Sequence, residues 1–319
     1  MFSGFMSRAY SITTIYETVI ERYFVTSLNV TNWSDCLVCP VCGDEMLLKG
    51  ERTLHCVNGH EYDAARQGYF NLLTGRGTKF REDTPEMVAA RLRFLEAGHY
   101  SPIADAIVAE VPREAQFVVD AGSGPGYYLN SVMSSLEDSG QSSQSSTQPR
   151  AIALDISRAA AKHAAKIPNT LSLVTDLWSV LPLAANTVDV ALNVFAPHNI
   201  EEFRRVLKRG GRVIVVTPAP HHLQELRDAE TGLLGIQSEK QDKLHQTFSE
   251  GFTLLHETNV DFSLSLDTQA IADLVGMGPA GHHTSASPDE ESPTESAQAT
   301  DGEPRTVSCG VVLSVFQKS

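Results

Sequence analysis

Long apolar runs are missing from this 319-residue chain. No stretch approaches the roughly 20 uninterrupted apolar residues that a membrane helix needs, which excludes a protein held in a bilayer by such helices. Basic residues are in deficit, 25 Lys plus Arg against 39 Asp plus Glu, for a formal net charge of −14. A total of that sign does not exclude a nucleic-acid partner, because it says little about any one face. Hydrophobic residues make up 42% and charged ones 20%, a balance that excludes collagen-like, coiled-coil and wholly disordered chains. Cysteine is scarce, yet four of the five crowd together as Cys36, Cys39, Cys42 and Cys56, with Cys309 far off. Arg8, Glu17, Glu21 and Arg22 break any apolar core of a secretory signal. A reducing, cytoplasmic setting follows as the expectation, and in it clustered cysteines point to metal before disulfide.

Residues 1–34 read as an extension with a short helix around 15–24 and no assignable function. A compact cysteine-bearing unit is expected over 35–75, a connection with helices over 76–112, and an α/β unit over 113–319. Asp83-Thr84-Pro85-Glu86 is a helix start, a cap followed by proline and an acid in the first turn, and the helix should run to Gly98. Beyond it, FVVDAG, AIALDI, LSLV, VDVALNVF and GRVIVVT are short Val/Ile/Leu-rich runs suited to buried parallel strands. Helical segments lie between them, SRAAAKHAAK and NIEEFRRVLKRGG among them, the latter with a glycine stop. Such alternation is the doubly wound α/β pattern. Two disordered insertions are expected, a Ser/Gln-rich one at about 138–149 and one at about 278–305. The second carries Asp289, Glu290, Glu291, Glu295, Asp301 and Glu303 with no basic residue among them.

VVDAGSGPGYY sets Gly122, Gly124 and Gly126 between a strand and a helix. Glycines suit that place because the turn is tight and a cofactor approaches the backbone closely. Asp120 ends the first strand and Asp155 ends the next. An acid at the second position accepts hydrogen bonds from ribose hydroxyls, and an acid beside the loop suits a cationic cofactor better than a pyrophosphate. Both features favour a methyltransferase over a dinucleotide enzyme. Asp176, after the third strand, is a candidate for the adenine amino group, with an acidic surface turn as the alternative.

CPVC followed by CVNGH supplies Cys39, Cys42, Cys56 and His60. A CxxC knuckle completes a zinc tetrahedron when a hairpin brings a second pair alongside, and three thiolates with one imidazole make a closed structural site. Cys36 and His55 stand nearby as rival ligands.

The run CPVCGDEMLLKGERTLHCVNGHEYDAARQGYFNLL, then DTPEMVAAR, FLEAGHYSPI, DAGSGPGYY, VFAP and TPAPHHLQEL in that order, closely resembles the bacterial 23S ribosomal RNA (guanine-N1)-methyltransferases, the group that includes the tylosin-resistance enzyme. The resemblance spans about 39–278 and resumes at 306–317. It implies an N-terminal zinc ribbon that helps recognise RNA and a Rossmann-like class I methyltransferase sheet. The implied reaction is methyl transfer from S-adenosylmethionine to N1 of a guanine in a hairpin of 23S ribosomal RNA. It also implies zinc ligands at Cys39, Cys42, Cys56 and His60, leaving Cys36 and His55 as bystanders, and cofactor contacts at Tyr100, Gly124, Pro125 and His222. His221 stands where relatives have Arg.

Asn193 and His198 flank the VFAP segment as candidates to hold the base edge or relay the N1 proton. A strand-end cap and a solvated loop histidine are the structural alternatives. Arg76, Lys79 and Arg81 cluster between the two units, where they can neutralise RNA phosphates. The expected partner is 23S ribosomal RNA, with no membrane, and a homodimer stays open. Two competing readings are a methyltransferase for another RNA, a protein or a small molecule, and a non-catalytic ribosome-binding protein.

Overall fold

The computed structural model describes residues 33–50, 52–75, 77–140, 148–227, 240–278 and 303–319. The extension up to residue 32, Arg76 and most of both expected insertions lie outside the described residues.

The first sheet among the described residues is a three-stranded antiparallel ribbon of β1 (Met46–Lys49), β2 (Thr53–Cys56) and β3 (Glu61–Asp63). A two-residue strand, β4 (Phe70–Asn71), then leaves the ribbon and pairs in parallel with β7 (Thr170–Val174). Residues 35–75 therefore end inside the main sheet rather than beside it.

Next come α1 (Pro85–Glu96) and α2 (Ser101–Glu110). Thr84 caps α1, its Oγ1 accepting from the Met87 N–H at 3.3 Å, with Pro85 and Glu86 in the first turn as expected. Gly98, at φ +80°, stops it in the left-handed region that glycine adopts without penalty. Four strands and their crossovers follow as β5 (Phe117–Ala121), α3 (Tyr127–Gly140), β6 (Arg150–Asp155), α4 (Arg158–Ala164), β7 and β8 (Val188–Val194). After α5 (Ile200–Val206) come β9 (Leu207–Pro218), α6 (Gln224–Arg227), α7 (Lys240–Phe248), β10 (Phe252–Leu266), α8 (Thr268–Gly276) and β11 (Arg305–Lys318).

All but the ribbon strands form one sheet in the order β10-β11-β9-β8-β5-β6-β7-β4. From β9 to β4 the neighbours are parallel, and β11 is antiparallel to both β9 and β10. Every residue of β5 and β7 is buried, as their unbroken apolar runs require when helices cover both faces. The helix expected through NIEEFRRVLKRGG ends sooner. Leu207 turns extended at ψ 142° and pairs with Val188, so sheet hydrogen bonding takes over three residues before Gly210.

The ribbon shares a core with the sheet. Trp33, Leu37, Met46 and Leu54 belong to the same apolar cluster as Phe117, Leu171 and Leu183. Main-chain bonds reinforce the contact: Val38 N–H donates to Pro182 O at 3.1 Å and Ala184 N–H to Cys36 O at 2.7 Å. The Arg150 guanidinium lies over both the Trp33 and Phe117 rings and pairs with Asp35 at 2.7 Å. Among the described residues no helix is long and apolar enough to cross a membrane.

Candidate active site and metal centre

In the ribbon, the CxxC knuckle carries Cys39 and Cys42 while Cys56 and His60 flank the tight turn after β2. Their ligand atoms all lie within 4.8 Å of one another, with Cys42 Sγ and Cys56 Sγ 3.6 Å apart and His60 Nδ1 3.3 Å from Cys56 Sγ. A tetrahedron with Zn–S bonds of about 2.3 Å has edges of about 3.8 Å, close to the spacing of these four donors, whose chemistry suits zinc. Cys36 is elsewhere: its Sγ donates to Trp33 O at 3.2 Å, and burial pushes the thiol up to about 12, away from the thiolate a metal requires. His55 also stands outside the cluster.

The second site is a cleft of about 570 Å³ at the carboxyl ends of β5 to β8, where open α/β sheets bind ligands. Its floor is the loop between β5 and α3. Gly122, Gly124 and Gly126 all have φ between 52° and 91°. A Cβ on Gly122 would fall 2.4 Å from the Ala196 Cβ, and one on Gly126 2.5 Å from Ile167 Cδ1. The glycines are thus demanded by both backbone conformation and close packing. The N–H groups of Gly122 and Ser123 donate to Leu154 O, which ties the loop to β6.

Asp155 accepts from the Gly124 N–H through one carboxylate oxygen and from the Ser157 N–H through the other, each at 2.7 Å. Each oxygen keeps a second lone pair for a ligand. Asp120 is 1% exposed and neither of its oxygens has a hydrogen-bond partner. Burial, with the neighbouring Asp155 charge, raises its carboxyl to about 8. Asp176 lines the cleft and locks its rim, accepting from Thr78 Oγ1 at 2.8 Å and from the Trp178 N–H at 2.9 Å. Thr78 belongs to the basic connection, so this bond holds that loop at the mouth, where Phe80 and Arg81 line the cleft and Lys79 lies over the Phe80 ring.

On the opposite wall Tyr100 and His222 are buried and adjacent. His222 Nδ1–H donates to Gly310 O at 2.9 Å, and Nε2 accepts from the Tyr100 hydroxyl at 3.4 Å. Desolvation lowers the imidazole to about 4, so it is neutral near pH 7. Neighbouring His221 is exposed and pairs with Asp261 at 2.7 Å.

Asn193 and His198 do not line the cleft. Asn193 is fully buried, its Nδ2 donating to Ala121 O and Pro197 O and its Oδ1 bonded to His198 Nδ1. The pair fastens the VFAP turn. Sequence reasoning passed over Arg91 and Phe195, both on the cleft wall. Arg91 Nη1 pairs with Asp83 at 2.6 Å, Nη2 donates to Met277 O at 2.8 Å, and a Cβ on Gly124 would lie 3.4 Å from Nη1. A signal existed, because Arg91 sits between buried Met87 and Leu95 at four-residue spacing, a charge on an apolar helix stripe. Phe195 carried no such mark.

The orphaned acid beneath a cradle that admits no Cβ, with a second acid at the next strand end, fits S-adenosylmethionine, whose ribose needs acceptors and whose sulfonium is cationic. Fold and site together define a class I S-adenosylmethionine-dependent methyltransferase bearing a zinc ribbon. The zinc-ribbon family described as RlmA, N-terminal, matches residues 37–75. The chain is 40% identical over 260 residues to the 23S rRNA (guanine(748)-N(1))-methyltransferase of Streptomyces fradiae, covering 80% of this chain and 88% of that one. It is also 40% identical over 271 residues to a provisionally named 23S rRNA (guanine-N1)-methyltransferase of Micromonospora griseorubida, covering 78% and 87%. It belongs to the family of 23S rRNA (guanine-N1)-methyltransferases.

Proposed function

We propose that the enzyme methylates N1 of a guanine in a hairpin of 23S ribosomal RNA. The observation that carries this reading is the likeness to the Streptomyces fradiae enzyme along 88% of its length, supported by an intact cofactor cleft. In that reading Asp155 holds the ribose, Asp176 the adenine edge, and Gly122, Gly124, Pro125 and Gly126 form the cradle. Asp120 supplies negative charge beneath them, while Tyr100 and His222 close the far wall. Arg91 extends a guanidinium over the loop, suited to the carboxylate of the cofactor's amino-acid end.

When bound, S-adenosylmethionine would supply an electrophilic methyl carbon for guanine N1, with a neutral thioether as the leaving group and loss of the N1 proton completing the balance. The protein's part is to align nucleophile and methyl group, since an in-line displacement is governed by orientation. A neutral His222, fixed at both ring nitrogens, adds no positive charge against the sulfonium. The ribbon over 35–75 serves as a rigid second surface for RNA, with zinc on Cys39, Cys42, Cys56 and His60. Lys79 and Arg81, together with Arg76, position phosphates without reading sequence. We take the enzyme to work in the cytoplasm, beside its substrate, where the thiols stay reduced.

Primer extension on ribosomal RNA from cells with and without the gene tests the reading, because a methyl on N1 blocks the pairing edge. A new stop at one guanine is the expected result. An unchanged ladder would redirect the search to another RNA, a protein or a small molecule.

A further inference from the structure

We infer that Phe195 is the platform on which the target guanine stacks once it has left the hairpin, and that Asn193 and His198 hold the platform in place. The inference rests on the methyltransferase reading above and names the base-accepting part of that site.

Topology separates the two ends of the cleft. Asp155 and Asp176 follow β6 and β7, on one side of β5, so the nucleoside half of the cofactor belongs there. The chain after β8 lies on the other side of β5, toward which the methyl-bearing half must point. Phe195 is the first residue after β8.

Its backbone has φ +52°, the left-handed region that a bulky side chain rarely enters. Such conformations persist only where the surroundings over-determine them, and here they do. The Phe195 N–H donates to Val216 O at 3.0 Å, pinning the peptide to β9. Buried Asn193 brackets the turn, with Nδ2 donating to Ala121 O at 3.1 Å and to Pro197 O at 3.0 Å, and its remaining acceptor is taken by His198. Ala196 is pressed against Gly122, which closes the other side.

This bracket delivers a phenylalanine that is 42% exposed and lines the cleft. Single exposed apolar side chains are common on protein surfaces, so it is the strained, bracketed backbone behind the ring, not its exposure alone, that marks it. Tyr100 and His222 stand beside it as tilted rings, with centroids 6.2 Å and 5.9 Å away. An open aromatic surface at the methyl end of a methyltransferase cleft fits a flat π-system, and a base extruded from a helix needs such a replacement for its lost stacking.

Phe195→Ala, Phe195→Tyr and His198→Ala, with their double variant, provide the test. Base–aromatic stacking implies a loss of roughly 10- to 100-fold in kcat/KM for the methylated hairpin in Phe195→Ala. The dissociation constant for S-adenosylmethionine should be unchanged by calorimetry, and Phe195→Tyr should recover most of the rate. If His198 acts through Phe195, its substitution costs activity in the wild type and almost none in the Phe195→Ala background. A hairpin with an abasic target should bind wild type and Phe195→Ala equally. Full activity of Phe195→Ala on a hairpin that the wild type methylates overturns the platform alone. A wild type that binds S-adenosylmethionine but leaves every 23S hairpin unmodified overturns the platform and the parent reading together. Additive losses in the double variant overturn the positioning role.

Discussion

Asp120 and Asp155 stand at the carboxyl ends of neighbouring strands and the Asp155 charge bears on Asp120, yet only Asp155 is hydrogen-bonded, by the backbone N–H groups of Gly124 and Ser157. Two consequences for pH follow. With its carboxyl raised to about 8, Asp120 keeps a proton in the folded state that the unfolded chain releases above about pH 4. Stability of the cofactor-free protein therefore falls as pH rises from about 4 to about 8, and Asp120→Asn should flatten that slope in denaturant titrations. A bound cation favours the ionised form, so S-adenosylmethionine affinity should rise toward pH 8 by up to about tenfold per pH unit, with proton release. Calorimetry in buffers of different ionisation enthalpy would detect the proton. A pH-independent affinity in the wild type would mean that the acid does not sense the cofactor.

His222 has the opposite sign. Its folded value, lowered to about 4 by burial, lies below that of an unfolded histidine, so stability is lost as pH falls from about 6.5 to about 4. Nitrogen NMR should find the Nδ1–H tautomer at pH 5.5, donating to Gly310 O. An imidazolium signal at that pH would contradict the buried geometry.

The metal centre predicts one equivalent of zinc by elemental analysis. Changing Cys39, Cys42, Cys56 or His60 to Ser or Ala should release it, whereas Cys36→Ser should leave the metal content intact, since that thiol bonds Trp33 O instead. Protein purified without chelator and free of zinc would refute the assignment.

Lys79 and Arg81 are exposed beside the cleft mouth. Replacing both with Ala should weaken RNA binding and flatten its salt dependence by about one unit of log–log slope per lost phosphate contact. Lys79→Ala alone, which leaves the cleft lining intact, serves as the control and should not move S-adenosylmethionine affinity. An unchanged slope would identify them as a solvated linker.

Much of the cleft floor was legible because its demands are local. Three closely spaced glycines, an acid at each strand end and paired CxxC and CxxxH clusters are short-range requirements of turns and tetrahedra. Arg91 and Phe195 depend on distant partners instead. Arg91 is held by Met277 O, 186 residues away, and Phe195 is turned outward by bonds to β5 and β9. The early end of α5 has the same origin, because pairing of Leu207 with Val188 outweighs a helical pattern that reads smoothly to Gly210. Asn193 shows the reverse: its residue type suggested chemistry, while its burial commits every polar atom to holding a turn.

The short strand β4 couples parts of the molecule that the sequence keeps apart. It leaves the ribbon to pair with β7, whose far end leads into Asp176, and Asp176 grips Thr78 of the connection that follows β4. Ribbon, sheet edge and the Asp176 corner of the cleft are thus joined by a closed circuit of contacts. Zinc occupancy and cofactor binding are then thermodynamically linked: stripping the metal should lower S-adenosylmethionine affinity without removing a single cofactor ligand, and saturating cofactor should slow the loss of zinc to a chelator by the same coupling free energy.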